Sequence, residues 1–174
     1  MGRDKRLIPW CGRPLIGHIA TQIRPFFHEI LVSTNDPAPI AALGLPTVPD
    51  AQPDQGPLMG IASALQRARC PWNFVVATDI PEIPIALIRR LWAQTAGARC
   101  VVPREEGGRL QPLFGFYHRC LAEVILVRLA SGERRVRAVI EEIHPRTVPI
   151  AMELVRNVNT WEEVARIRPG GEDA

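Results

Sequence analysis

Phe74-Val75-Val76-Ala77-Thr78-Asp79-Ile80-Pro81 is the stretch that decides the fold predicted for this chain of 174 residues. An uninterrupted apolar run of this length is typical of a strand in the interior of a parallel sheet, and the proline stops it. Open parallel sheets bind ligands beyond the carboxyl ends of their strands. Asp79, at the end of the run, is therefore either a metal ligand or a residue that caps a helix or hydrogen-bonds within a loop.

Strand and helix patterns alternate on both sides of this stretch. Helices are predicted to begin at Pro14, Gly56 and Pro84, where proline suits a first helical turn and apolar residues follow at helical spacing. The other predicted strands cover residues 29–34, 47–48, 99–103, 113–117 and 147–150, and the other helices cover 119–130, 134–143 and a final one capped at Thr160. Gly107-Gly108 indicates a hairpin-like turn. The pattern predicts a three-layer α/β fold with a mostly parallel sheet, as one domain over residues 1–168 with a disordered tail at 169–174.

Composition narrows the functional class. The chain is 47% apolar and 22% charged with a net charge of +3, and its arginines are scattered, so we expect no nucleic-acid partner. No stretch has the length of a membrane span or the apolar core of a signal peptide, so no membrane partner is expected either. The four cysteines form no Cys-x-x-Cys pair, which argues against zinc or a disulfide framework. We expect a cytoplasmic protein.

Polar residues follow three of the predicted strands. They are Ser33 and Asn35, then Asp50, then Asp79. If these strands are parallel, the polar groups converge on one edge of the sheet. Mg²⁺ needs only one or two protein carboxylates when phosphate oxygens and water supply its other ligands. The edge is thus a predicted site for Mg²⁺ and a phosphorylated ligand, although Pro49-Asp50 is also ordinary turn chemistry.

Two further features have a functional and a structural interpretation. Lys5 is the only lysine among 21 basic residues, which either reflects a need for a compact ammonium group or is chance. Asn157 and Asn159 could present their amides to a ligand from one side of an extended segment, or could simply stabilise a loop before a helix.

Seven motifs along the chain together resemble one family. They are Met1-Gly2-Arg3-Asp4-Lys5, Leu7-Ile8-Pro9-Trp10 with Gly12-Arg13-Pro14, Val48-Pro49-Asp50, Gly56-Pro57-Leu58-Met59-Gly60, Asp79-Ile80-Pro81, Gln111-Pro112-Leu113-Phe114 and Asn157-Val158-Asn159-Thr160. In this order they resemble the molybdenum cofactor guanylyltransferase (MobA) family, from residue 1 to about residue 167.

The resemblance implies a fold, a reaction and a set of site residues. The fold is a Rossmann-like nucleotidyltransferase sheet. In the reaction, the terminal phosphate of molybdenum-bound molybdopterin attacks the α-phosphate of GTP, and pyrophosphate leaves with the help of Mg²⁺. By position, Lys5 resembles the lysine that contacts the triphosphate and Asp79 the metal-binding aspartate. Asp50 with Gly56 and Gly60 resembles the guanine-nucleotide site, to which either Ser33 or Asn35 also belongs. Residues that resemble parts of the molybdopterin-binding half are Arg109, Gln111, Arg134, Arg135, Asn157 and Asn159.

The sequence departs from the family at its beginning. Family members have a first strand and a glycine-rich, phosphate-binding loop before the motif that contains Met1. Without that strand, the neighbouring strands would have open edges and the core a void. We expect a misassigned start rather than a truncated, inactive protein, because the other motifs are intact.

The sequence is also compatible with three other functions. One is a cytidylyltransferase or another nucleotidyltransferase. Another is a non-catalytic module that binds molybdopterin or a molybdoenzyme and hands over the cofactor. A third is an α/β domain whose acids at the strand ends are structural. The partners that the resemblance implies are GTP and molybdopterin, with molybdopterin-inserting and molybdoenzyme proteins as further candidates.

Overall fold

The computed structural model describes residues 5–152 and 154–158. Its strands are β1 (Pro9–Trp10), β2 (Arg13–Pro14), β3 (Val32–Ser33), β4 (Thr47–Val48), β5 (Trp72–Val76), β6 (Cys100–Glu105), β7 (Phe114–His118) and β8 (Arg146–Ile150). Its α-helices are α1 (Leu15–Ile23), α2 (Pro57–Arg67), α3 (Ile85–Trp92), α4 (Leu121–Ala130) and α5 (Val136–Glu142). Among these helices, none is long and apolar enough to cross a bilayer. The capping box predicted at Thr160 and the tail predicted at 169–174 lie outside the described residues.

The chain begins with a short hairpin. A 3-10 helix at Lys5–Leu7 leads into β1, which pairs antiparallel with β2. Cys11 and Gly12 make the turn with φ angles of 46° and 75°. Two consecutive positive φ angles are the geometry of a type I′ hairpin turn, which tolerates a glycine far better than a branched side chain. The hairpin delivers Pro14 to the start of α1, where its missing N–H costs nothing.

The larger sheet has the order β5-β7-β6-β8. β7 is antiparallel to both β5 and β6, while β8 is parallel to β6. It follows that β5, β6 and β8 run in one direction and β7 runs against them. β3 and β4 form a separate parallel pair. The predicted hairpin connection between β6 and β7 and the mostly parallel α/β architecture are both confirmed.

Apolar side chains from alternate strand positions supply two cores. Phe114 and Phe116 of β7 face a core that also contains α1 and α3, whereas Tyr117 faces a core with α2, α4 and α5. This alternation is what the two-residue period of a strand demands when both faces are covered. The three-layer arrangement predicted from the sequence is therefore confirmed.

Two strands differ from the sequence prediction. The strand in the stretch that contains Asp79 covers Trp72–Val76, so Asp79 lies three residues beyond its end rather than at it. Its five residues are each half-buried, not buried. The strand predicted at 29–34 is only Val32–Ser33. Both differences have one physical cause, because each of these strands is hydrogen-bonded to a neighbour on one side only within the described residues.

A groove separates these two strands. We call it the β3–β5 groove: a cavity of about 1080 Å³ that runs from Glu29 and Cys70 at one end to Asn35 and Thr78 at the other. Arg69 and Glu29, which precede β5 and β3 respectively, approach to 3.9 Å. The two strands therefore begin at the same end of the groove and run the same way. Within the described residues, one edge of β3 and one edge of β5 face this groove.

Candidate functional site

Three polar side chains meet at the carboxyl ends of β3 and β4. The Nδ2 of Asn35 donates to Oδ2 of Asp50 at 2.9 Å, and the backbone N–H of Asp50 donates to Oδ1 of Asn35 at 2.8 Å. Ser33 Oγ lies 3.5 Å from Asp50 Oδ1, at the limit of a hydrogen bond. This polar cluster of Ser33, Asn35 and Asp50 lines one end of the β3–β5 groove. The structure thus brings together the predicted residues of two strand ends.

Helix α2 begins beside the polar cluster. Gly56 precedes it with φ 72° and ψ −170°, a conformation reserved for glycine, and Pro57 occupies its first position. No side chain caps this end. Pro57 has no N–H and the Met59 N–H donates to the Gly56 carbonyl at 3.1 Å, so the Leu58 N–H is the first backbone donor of the helix that keeps hydrogen-bonding capacity. A helix start of this kind favours a negatively charged group.

Gly60 brings α2 against the cluster. A Cβ atom built on Gly60 would lie 2.6 Å from Ser33 Oγ and 3.4 Å from Asp50 Oδ1. Only a residue without a side chain permits this approach. On the next turn, Ser63 Oγ accepts the backbone N–H of Ala51 at 3.0 Å and holds the loop after Asp50 to the helix. Gly56 and Gly60 therefore lie at the start of α2, next to the polar cluster.

Asp79 occupies a loop that is tied from two sides. Its carbonyl accepts the backbone N–H of Val158 at 2.7 Å. From α1, Gln22 Nε2 donates to the Pro81 carbonyl at 2.8 Å, and Gln22 Oε1 accepts the Ile83 N–H at 3.0 Å. Asp79 is half-buried, and its Oδ1 is shielded from solvent. Asp79 follows directly after Ala77 and Thr78, which line the same groove as the polar cluster.

The N-terminal segment reaches the same edge of the sheet. Arg6 Nη1 donates to Thr34 Oγ1 and to the Asp36 carbonyl, just beyond β3. Lys5 precedes it as the first residue of the 3-10 helix, and the position of its side chain lies outside the described part of the structure.

Arg109 and Gln111 belong to the loop that connects β6 to β7. The backbone N–H of Glu105 donates to the Arg109 carbonyl at 2.9 Å, and Gln111 Nε2 donates to Oε1 of Glu105. Because β6 runs in the same direction as β5, this loop lies at the same edge of the sheet as Asp79. Arg109 is exposed.

Arg134 and Arg135 lie in the turn between α4 and α5. Arg135 pairs with Glu133 at 2.7 Å, and its hydrogen bonds lower the pKa of Glu133 to about 2. Arg134 Nη1 lies 3.3 Å from the carbonyl of Gly132. β7 runs against β5 and therefore ends at the edge of the sheet opposite to Asp79. Helix α4 returns the chain across the sheet, so the turn between α4 and α5 lies at the same edge as Asp79. Asn157 is exposed beside Val158, and Asn159 lies outside the described residues.

Sequence reasoning missed Gln22, Ser63 and the contact of Arg6 with Thr34. Gln22 and Ser63 are polar residues within otherwise apolar helix faces, and that was the available signal for both. No cluster of three or more His, Cys, Asp or Glu side chains able to hold a metal occurs in the described part of the chain. A metal at this edge would therefore depend on few protein ligands.

Comparison with known proteins adds to this geometry. A family model described as "MobA-like NTP transferase domain" matches residues 1–148. A molybdenum cofactor guanylyltransferase of Serratia proteamaculans (strain 568) is 31% identical over 169 residues, which cover 95% of this chain and 85% of that protein. One from Cereibacter sphaeroides is 40% identical over 139 residues, which cover 78% of this chain and 70% of that protein.

A solved structure shares the fold. Molybdopterin-guanine dinucleotide biosynthesis protein A from Archaeoglobus fulgidus superposes with a TM-score of 0.73 over 95% of this chain and 89% of its own. At 21% identity, this likeness concerns the fold alone.

Proposed function

Because the chain belongs to the MobA-like NTP transferase family, we propose that it transfers GMP from GTP to molybdenum-bound molybdopterin. A terminal phosphate oxygen of molybdopterin attacks the α-phosphorus of GTP. A new P–O bond forms, the bond from the α-phosphorus to the bridging oxygen breaks, and pyrophosphate leaves. The products are molybdopterin guanine dinucleotide and pyrophosphate. The observation that carries the proposal is the polar cluster beside the start of α2, at the edge of the sheet where Asp79 lies.

The polar cluster would bind the guanine nucleotide. Asn35 holds the Asp50 carboxylate in one orientation through two hydrogen bonds. A carboxylate accepts hydrogen bonds, and the edge of guanine offers an N–H and an amino group as neighbouring donors. Gly60, without a side chain, lets α2 approach this carboxylate closely. The uncapped start of α2, with Gly56, favours negative charge nearby.

A divalent cation requirement is consistent with a MobA-like nucleotidyltransferase, and magnesium with Asp79 as ligand is our proposal. A single aspartate fits an ion that takes most of its ligands from phosphates and water. When bound, Mg²⁺ would offset the negative charge of the triphosphate. Lys5 would add a second positive charge from the N-terminal side.

The molybdopterin half would involve Arg109, Gln111, Arg134, Arg135 and Asn157, with Asn159. Those that the structure describes lie in two loops and a turn at the same edge of the sheet as Asp79. From there they could contact a second substrate that is bound next to the nucleotide. Guanidinium groups suit the phosphate of that substrate. Handover of the product to molybdopterin-inserting and molybdoenzyme proteins stays a prediction.

The test compares Asp79→Asn with Glu141→Gln. Each substitution removes one negative charge, but Glu141 is exposed on α5, where it pairs with Arg137. We expect Asp79→Asn to lower Mg²⁺-dependent GTP binding at least about tenfold, since a neutral amide is a weak ligand for a hard cation. Glu141→Gln should leave binding unchanged. Equal GTP binding by Asp79→Asn and the parent protein would remove Asp79 from the proposal.

A further inference from the structure

We propose that Cys70 and Cys120 form a reversible disulfide bond, which makes them a redox-modification site at the edge of the sheet opposite to Asp79. The oxidant is a low-molecular-weight disulfide such as oxidised glutathione. Both cysteines are free thiols in the structure, and both are exposed. The inference does not depend on the proposed transfer reaction.

The first argument is the register between β5 and β7. Their antiparallel pairing continues one step beyond the two strands, because the Arg119 N–H donates to the Pro71 carbonyl at 2.7 Å in the register of the strands. The next step in the same register sets Cys70 opposite Cys120. The spacing of the cysteines in the sequence does not reveal this pair, because the two residues are fifty positions apart.

The second argument is the kind of pair that results. Opposite residues of an antiparallel pair alternate between hydrogen-bonded and non-hydrogen-bonded positions. Pro71 and Arg119 are hydrogen-bonded, so Cys70 and Cys120 take the non-hydrogen-bonded position that follows. At such positions the Cα atoms lie about 4.5 Å apart and the two side chains share one face. A disulfide bond needs Cα atoms about 4.4–6.8 Å apart, so the register suits one here.

The third argument is that both side chains can rotate. Cys70 lies in a bend before β5, and Cys120 is the residue that precedes α4. The described hydrogen bonds of the two residues use backbone atoms. The Cys70 carbonyl accepts Asn73 Nδ2 at 3.2 Å, and the Cys120 N–H donates to His118 Nδ1 at 3.3 Å. A change of rotamer that brings the two sulfur atoms together therefore breaks neither hydrogen bond.

Basic side chains adjoin both thiols. Arg69 precedes Cys70 and Arg119 precedes Cys120, and both arginines are exposed. Positive charge beside a thiol attracts an anionic reactant, and oxidised glutathione carries carboxylates. The surroundings of the pair therefore favour an anionic disulfide as the oxidant.

The chemistry consists of two exchange steps. One cysteine thiolate attacks a sulfur atom of oxidised glutathione, so that a mixed disulfide forms and one glutathione thiolate leaves. The second cysteine thiolate attacks the protein sulfur of the mixed disulfide and releases the other glutathione. In total, two protein thiols lose two electrons and two protons, and oxidised glutathione gains them to become two thiols. An excess of reduced glutathione reverses both steps.

The other two cysteines serve as internal references. Cys100 is 2% exposed, and burial raises the pKa of its thiol to about 12, so it stays protonated and unreactive. Cys11 is exposed in the turn between β1 and β2, which form a sheet separate from that of β5 and β7. Cys11 therefore reports how an exposed thiol outside the pair reacts.

The test treats the full chain with oxidised glutathione, blocks the remaining thiols with N-ethylmaleimide and analyses the unreduced digest by mass spectrometry. We expect peptides joined through Cys70 and Cys120 within a monomer, while Cys11 carries only glutathione or N-ethylmaleimide. Because the bond closes a long loop, the melting temperature should rise by about 5 °C or more. Reduced glutathione should reverse both changes.

Two matched substitutions separate pairing from the reactivity of single thiols. In Cys120→Ser the second exchange step cannot occur, so the mixed disulfide at Cys70 should accumulate at least about tenfold above its level in the parent protein. Cys11→Ser makes the same chemical change outside the pair and should leave the bond and the higher melting temperature intact. The proposal is overturned if Cys70 and Cys120 each keep a glutathione, if they join two copies of the chain, or if they form no disulfide.

Discussion

Asn35 and Asp50, fifteen residues apart in the chain, form a reciprocal hydrogen-bonded pair with distances of 2.9 and 2.8 Å. The pair joins the ends of two parallel strands and fixes the orientation of a half-buried carboxylate. Ser33 contacts the same carboxylate at 3.5 Å only. The sequence left open whether Ser33 or Asn35 belongs to the nucleotide site. The shorter hydrogen bonds of Asn35 to Asp50 favour Asn35.

The first prediction follows from this difference in distance. Asn35→Ala should weaken GTP binding by about tenfold or more, because it removes both hydrogen bonds that orient Asp50. Ser33→Ala should change it less than about threefold, because it removes one marginal contact. Isothermal titration with GTP measures both variants. The reverse order of effects would contradict the assignment of Asn35.

Gly60→Ala should weaken GTP binding with little effect on the stability of the fold. The added methyl group would lie 2.6 Å from Ser33 Oγ and 3.4 Å from Asp50 Oδ1, so it would crowd the carboxylate as well as the hydroxyl. Alanine also favours a helix over glycine by about 1 kcal/mol, which offsets the strain on the fold. We expect GTP affinity to fall about fivefold while the free energy of unfolding changes little. Gly107→Ala is the control, because a Cβ there meets nothing within 4 Å. Equal GTP affinity in the two variants would count against the cluster as a binding site.

Gln22 is predicted to position the loop that carries Asp79. Gln22→Leu leaves the buried Pro81 carbonyl and Ile83 N–H without their side-chain partner, which should cost about 1–3 kcal/mol of unfolding free energy. Gln22→Glu keeps an acceptor for the Ile83 N–H and should lose less. If the loop geometry matters for the metal, Mn²⁺ binding measured by electron paramagnetic resonance with GTP present should weaken in the same order. Unchanged Mn²⁺ binding in Gln22→Leu would limit Gln22 to a role in folding.

His18 should make stability depend on pH. Burial, together with the charge of Arg13, lowers the pKa of His18 below its ordinary value of 6.5, against the opposing effects of Glu82 and the Pro81 backbone. The unfolded chain therefore binds a proton at a higher pH than the folded protein does. The contribution of neutral His18 to the free energy of unfolding is therefore fully present above pH 6.5 and is lost as the pH falls below that value.

Urea unfolding at about pH 8 and about pH 5 measures this effect. His18→Gln should reduce the loss of stability between the two pH values. His144→Asn is the control, since His144 is exposed with φ 53°, which asparagine tolerates. An equal loss in His18→Gln and the parent protein would contradict the pKa assignment.

Much of this architecture follows from the sequence, and the exceptions have physical causes. Runs of apolar residues and prolines at helix starts located all five α-helices that the structure describes. The lengths predicted for β3 and β5 were wrong, because a local sequence pattern does not reveal whether a strand has a hydrogen-bonded neighbour on each side. The polar residues at the strand ends predicted at which edge of the sheet the site lies. Only the structure showed which of their side chains meet, namely those of Asn35 and Asp50. Gln22 is a tertiary contact across 59 residues, for which a single sequence carries little signal.

The most direct test of the proposed function uses GTP that is radiolabelled at the α-phosphate. The chain is incubated with this GTP, Mg²⁺ and molybdenum-loaded molybdopterin, and the products are separated by chromatography. We predict that the label moves to the pterin product, that a label at the γ-phosphate appears in pyrophosphate instead, and that Asp79→Asn abolishes both. Binding of GTP without any transfer of the α-label would contradict the proposed guanylyl transfer.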